Sequence, residues 1–135
     1  MTYGASEARN YTVKDATTVK KGELLTIQTS DGKVDLTAAT EVCFLVAIDE
    51  SSRDADGTLE TSGATVAALP VGGVCFVAAT GSESWTAADV IYVGANGLAT
   101  ATAGSNKKLG IYLGAAVTTV ANDLYAVNTL SAEQA

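Results

Sequence analysis

The stretch WTAADVIYVGANGLATATAG, residues 85–104, decides the fold because it repeats an earlier one, VKKGELLTIQTSDGKVDLTAAT, residues 19–40. Ala88-Asp89-Val90-Ile91-Tyr92-Val93 aligns with Gly22-Glu23-Leu24-Leu25-Thr26-Ile27. With a one-residue gap, Asn96-Gly97 aligns with Asp31-Gly32. Asx-Gly pairs readily take the positive φ values of tight hairpin turns, so each copy reads as strand, turn and return strand. A buried strand follows in each copy, with Val42–Ala47 set against Leu109–Gly114. Two copies of one β unit predict a compact all-β chain, a small β-barrel or sandwich with internal pseudo-symmetry.

The rest of the chain agrees with that reading. Its 135 residues are 47% hydrophobic but only 6% aromatic, with 13 glycines and one proline, Pro70. Apolar residues are mainly Ala, Val and Leu among many Thr, a mixture suited to short strands and tight turns. Glu41–Ile48 is nearly continuous in apolar residues, the mark of a strand covered on both faces. Thr65–Leu69 and Val71–Ala78 read as further strands around Pro70, which predicts an edge or a bend there. Residues 1–12 are polar and aperiodic and read as an extended N-terminal arm, although Tyr11-Thr12-Val13 is a possible strand start. Residues 13–130 read as one β domain, and 131–135 as a short tail.

Composition also bounds function. Eight basic residues against 15 acidic ones give a net charge of −7, and there is no histidine. Neither Lys20-Lys21 nor Lys107-Lys108 is the basic cluster a phosphate backbone requires, so nucleic acid is not an expected partner. No apolar stretch approaches the roughly 20 residues of a membrane-spanning helix, so no membrane partner is expected. The first 15 residues show no secretory signal pattern, which predicts a protein made in a cytoplasm.

Catalytic chemistry finds little support. Without histidine the commonest general base near neutral pH is missing, and no G-x-S-x-G elbow is present. Cys43 and Cys75 stand in apolar runs outside any C-x-x-C pattern and read as buried free thiols, with a disulfide between neighbouring strands as the alternative. Two isolated thiols do not complete a tetrahedral zinc shell, so no metal is expected there. The segment DESSRDADGTLETSG, 49–63, is long for a connection and therefore a candidate surface or interface element, carrying Asp49, Glu50, Arg53, Asp54 and Asp56. Its Asp54-Ala55-Asp56-Gly57 resembles part of a calcium loop, but Gly63 stands where the bidentate glutamate belongs. Thr29-Ser30-Asp31-Gly32-Lys33 resembles the lysine hairpin of lipoyl and biotinyl carrier domains. Lys33, however, follows the turn glycine and corresponds to Leu98 in the repeat, so the hairpin is scaffold. No cofactor is expected. Trp85, the single tryptophan, is either a plug at the barrel end or an anchor at a subunit interface.

Residues 66–130 contain GVCFVAA, WTAADVIYV, LGIYLGAA and LYAVNTL, and the earlier VKKGELLTI precedes them. In order and spacing these elements resemble a family of small tailed-phage capsid decoration (cement) proteins. The chain departs from that pattern in having Ala88 where the family usually has glycine, and in the acidic insertion 49–63. The resemblance implies a non-catalytic role: binding to the major capsid protein on the outside of the expanded head, as a homo-oligomer, with a trimer favoured, located in the virion. On that reading the arm, with Tyr3, Arg9 and Tyr11, grips the shell by adding a strand to a capsid edge. A tail or fibre adaptor is the alternative.

Overall fold

The computed structural model describes residues 8–130. Among them are twelve β-strands and no α-helix. The strands are β1 (Arg9–Thr12), β2 (Leu24–Ile27), β3 (Val34–Leu36), β4 (Leu45–Ala47), β5 (Thr65–Pro70) and β6 (Val74–Ala78). Then follow β7 (Ser84–Trp85), β8 (Val90–Val93), β9 (Ala99–Thr100), β10 (Lys108–Tyr112), β11 (Val117–Thr118) and β12 (Leu124–Thr129). The all-β expectation and the two-unit expectation both hold.

Two five-stranded antiparallel sheets carry the fold, in the orders β1-β5-β4-β2-β3 and β6-β12-β10-β8-β9. With the two-residue strands β7 and β11 set aside, as they pair only with each other, these are the same order. The first and last strands of each sheet also meet, through the parallel bridges Val13–Val34 and Ala79–Ala99 just past the ends of β1 and β6. Lys14 N–H donates to Val34 O at 2.9 Å and Thr80 N–H to Ala99 O at 2.8 Å. Each sheet thus curls into a small barrel, and the chain is two such barrels in tandem.

Backbone conformation repeats along with topology. Left-handed residues recur in matched pairs: Ala16 (φ 63°) with Ser82 (63°), Gly22 (84°) with Ala88 (70°), Gly32 (72°) with Gly97 (75°), and Gly63 (68°) with Asn122 (67°). Non-glycine residues rarely adopt this region, so their recurrence at equivalent corners shows that the barrel geometry imposes it. The acidic entries also match. Glu23 Oε1 accepts the Lys20 amide at 2.6 Å, and Asp89 Oδ2 accepts the Thr86 amide at 2.8 Å, each three residues back.

The two cores are filled differently. The first is aliphatic, with Val13, Val19, Val34, Leu45, Ala47 and Val66 buried together. At the equivalent positions the second barrel has Ala79, Trp85, Ala99, Gly110, Tyr112 and Tyr125. Smaller residues at Ala79, Ala99 and Gly110 are offset by three aromatic rings that pack edge-on or tilted, at centroid distances of 5.4–6.4 Å. Close packing constrains total volume more tightly than the identity of each side chain, which allows such an exchange.

Leu24, Cys43 and Val46 lie on the outside of the first barrel, yet all three are buried because they join the core cluster of the second. At this junction Ala78 N–H donates to Gly22 O and Gly97 N–H to Thr37 O, both at 2.8 Å. Leu45, Val46 and Ala47 are therefore covered on both faces, as the apolar run 41–48 predicts, although the ladder spans only β4.

Three expectations need correction. Residues 9–12 are not part of a free arm: β1 pairs with β5, from Arg9 opposite Ala68 to Thr12 opposite Thr65. Its exposure leaves no alternation of polar and apolar residues to read. The third strands of the repeat align two residues away from the expected register, since Val46 and Ile111 stand opposite Leu24 and Val90 respectively. A register shift between Lys108 and Gly110 accompanies that difference. The strand expected over 71–78 is confined to β6, because Gly72 turns the chain at φ 124°.

Candidate functional site

The sequence-derived candidates fall at separate places. Arg9 and Tyr11 lie on β1, where β5 occupies one side and, among the described residues, no strand pairs with 9–12 on the other. Tyr11 packs partly against the first core, while Arg9 is exposed. Tyr3 lies outside the described residues. The free side of β1 is an unpaired edge, the element to which an extended segment adds by backbone hydrogen bonds.

The acidic loop is an ordered small hairpin closed by the Arg53–Leu59 bridge. Arg53 forms an ion pair with Glu50 at 2.6 Å, and its Nη1 donates to Gly57 O. Asp54 Oδ1 accepts the amides of Asp56 and Thr58 at 2.9 and 3.0 Å, and Asp49 Oδ1 accepts that of Glu50 at 2.8 Å. These carboxylates organise turns, and among the described residues no group of three His, Cys, Asp or Glu is arranged to hold a metal.

Trp85 is fully buried and so presents nothing to a partner, which corrects its candidacy as an interface anchor. Its indole N–H donates to Glu83 Oε1 at 2.9 Å, and that oxygen also accepts the Ala101 amide at 2.9 Å. Glu83 Oε2 accepts the Thr100 hydroxyl. The tryptophan is the centre of the second core. Both cysteines are free and buried. Burial pushes the Cys43 thiol up to about 12 and raises that of Cys75, the opposite of an activated nucleophile.

Lys33 follows Gly32 on the return of an ordinary hairpin, with its amide donating to Asp31 Oδ1 at 2.9 Å. An open groove of about 500 Å³ runs between the barrels past Thr17, Asp35, Thr37 and Asn96. Asp35 is its one charged lining residue and faces Lys14 at 3.5 Å.

The feature that sequence reading missed is an apolar outer face on the second barrel. Val90, Ile111, Asn128 and Val74 stand opposite one another in a row across four strands. Leu113, Ala126 and Phe76 form the next row, since Leu113 N–H bonds Ala126 O and Ala126 is opposite Phe76. The five large apolar side chains in these rows are 36–62% exposed. No charged residue stands in either row. Single exposed apolar residues are ordinary, but a contiguous patch marks an interaction surface.

No family model and no curated protein matches the chain. Among solved structures, it is similar to the N base of the head fibre protein gp8.5 of bacteriophage phi29. The TM-score is 0.63 at 15% identity, over 90% of this chain and 93% of that one. The two share a fold along nearly their whole lengths.

Proposed function

We propose that this chain is a non-catalytic structural protein of a tailed-phage virion that binds the outer surface of the head. The observation carrying this reading is the whole-length fold likeness to the base of a phage head fibre. The resemblance of GVCFVAA, WTAADVIYV, LGIYLGAA and LYAVNTL to capsid decoration proteins points the same way from sequence. Raised thiol pKa values and the turn-bound carboxylates of 49–58 fit a scaffold better than an active site.

On this reading the major capsid protein is the partner, and the unpaired side of β1, with Arg9 exposed on it, is the attachment edge. A capsid segment adds there as a further antiparallel or parallel strand, and residues 1–7 extend the contact. Decoration of this kind reinforces an expanded shell against the pressure of packaged DNA. The protein is acidic, which suits a surface facing solvent and away from the genome. A trimeric arrangement over local three-fold positions is part of the proposal.

The test is co-sedimentation of the purified full chain with undecorated, expanded heads of its own phage. Saturable binding in fixed ratio to capsid subunits, weakened by deletion of 1–7 and by Arg9→Glu, supports the reading. Absence of binding to heads in every expansion state sinks it. A second reading, the base of a head fibre, is favoured by the identity of the structural neighbour. It predicts binding to heads together with a distal fibre segment, recoverable from virions by mild proteolysis.

A further inference from the structure

Asn96-Gly97 is the one Asn-Gly pair in the chain, and the first barrel carries Asp31-Gly32 at the aligned turn. The two turns differ in what surrounds them. A Cβ on Gly32 would meet nothing within 4 Å, whereas one on Gly97 would lie 3.0 Å from Leu24 O and 3.1 Å from Leu36 Cδ2 of the first barrel. Gly97 is buried there and its N–H donates to Thr37 O at 2.8 Å, while the Gly32 N–H stays within its own hairpin and donates to Gln28 O. Asn96 itself is exposed and lines the groove that holds Asp35. We propose that Asn96 is a site of spontaneous covalent modification gated by the junction between the barrels: opening of the junction lets Asn96 deamidate to aspartate and isoaspartate.

The chemistry fixes what the gate must hold. The Gly97 nitrogen attacks Asn96 Cγ, the Cγ–Nδ2 bond breaks, and the side-chain nitrogen leaves as ammonia with the proton that Gly97 gives up. Water then opens the resulting succinimide at either carbonyl, giving aspartate or, with the main chain rerouted through the side chain, isoaspartate. A following glycine favours attack because no side chain restricts its backbone. Ring closure needs Gly97 N and Asn96 Cβ nearly eclipsed about the Cα–C bond. In the folded chain Asn96 has φ 56° and ψ 37°, which sets the two atoms nearly trans. Rotation to the reactive ψ swings the Gly97 backbone, and its contacts with Leu24 and Leu36 oppose that. The bond to Thr37 O also holds the proton that the nitrogen must lose. Aspartate keeps the length of the main chain, and Asp31 occupies the aligned position of the first barrel. Isoaspartate adds a main-chain atom and displaces Gly97 from its seat against Leu24. Junction opening is thus recorded irreversibly, with a new carboxylate in the groove of Asp35.

The experiment is peptide mass mapping of the full chain, folded in buffer and unfolded in urea, at one mildly alkaline pH in heavy-oxygen water that labels each ring opening. It uses no heads and is independent of the head-binding reading. Conversion at Asn96 should be about tenfold or more slower in the folded chain than in the unfolded one. Leu36→Ala removes the side chain packed on Gly97, and Gly22→Ala crowds the junction. Each should speed conversion in native buffer by about tenfold with Trp85 emission unchanged, and Leu36→Ala alone suffices where Gly22→Ala does not fold. Ile111→Thr, on the outer face of the second barrel, should leave the rate as it is. Equal rates in the folded and unfolded chains overturn the proposal. So does an unfolded chain that keeps Asn96 intact, or a folded Leu36→Ala chain no faster than wild type or than Ile111→Thr.

Discussion

Gly22 and Ala88 stand at the same corner of the two barrels with the same left-handed backbone, and only Gly22 is buried under a neighbour. Gly22 O accepts the Ala78 amide, and Leu124 packs where a side chain would begin. Gly22→Ala should destabilise the chain by about 2–4 kcal/mol, combining a left-handed alanine with overpacking of the junction. Ala88→Gly removes the first effect but adds chain entropy to the unfolded state, leaving stability within about 1 kcal/mol of wild type. Paired denaturant melts check this, and equal effects at the two corners would refute the assignment of Gly22 as the contact point.

Trp85 fills the volume that small residues at Ala79, Ala99 and Gly110 leave open. Trp85→Ala should cost about 3–5 kcal/mol by cavity formation. Glu83 would lose one of its three donors in the same variant. Trp85→Phe keeps most of the volume and should be distinctly milder. Urea unfolding followed by far-UV circular dichroism distinguishes the two, and a small loss for Trp85→Ala would mean the residue is no core element.

Neither thiol should react with Ellman's reagent at mildly alkaline pH while the chain is folded. Burial holds Cys43 at about 12 and Cys75 above its ordinary value, so the nucleophilic thiolate is scarce as well as inaccessible. Unfolding in denaturant should release both at once, with no reductant needed. A fast native thiol, or a requirement for reductant, would contradict this.

Glu23 makes stability fall as pH rises. Burial lifts its carboxyl above the ordinary 4.5, against the opposing pull of the Lys20 amide and charge and of Asn122. The folded chain therefore holds this proton to higher pH than the unfolded chain. Its contribution is fully present below about 4.5 and is lost as pH rises through the folded value. Glu23→Gln keeps an oxygen acceptor for the Lys20 amide and should flatten that part of the pH profile. An unchanged slope in the variant would show that other groups set it.

Much of this architecture is legible in the sequence where local chemistry dictates it. The alignment of 88–93 on 22–27 is correct residue for residue, because the acidic entry, the strand and the Asx-Gly turn each leave a local signature. The third strands are two residues out of register since an almost unbroken apolar run carries no alternation to fix a face. β1 is hidden for a related reason: an edge strand exposed on most positions has the composition of a loop. The apolar face is illegible because its rows join residues from four strands that meet only after folding. Nothing in the sequence distinguishes Leu24 and Val46 from Val90 and Ile111. Their different fates depend on which barrel has a neighbour.

Tandem order also has a consequence during synthesis. Every strand that closes the first barrel lies before residue 71, so that barrel is complete in sequence while the second is still being made. Until the second barrel follows, Leu24 and Val46 face water, and the nascent chain shows the same kind of sticky surface that the finished chain keeps on its other half. A chain halted once the first barrel has cleared the ribosome, but before the second is complete, would be an uncovered intermediate. Translation speed through residues 71–130 sets how long that intermediate is open to chaperones or to its neighbours on the same message.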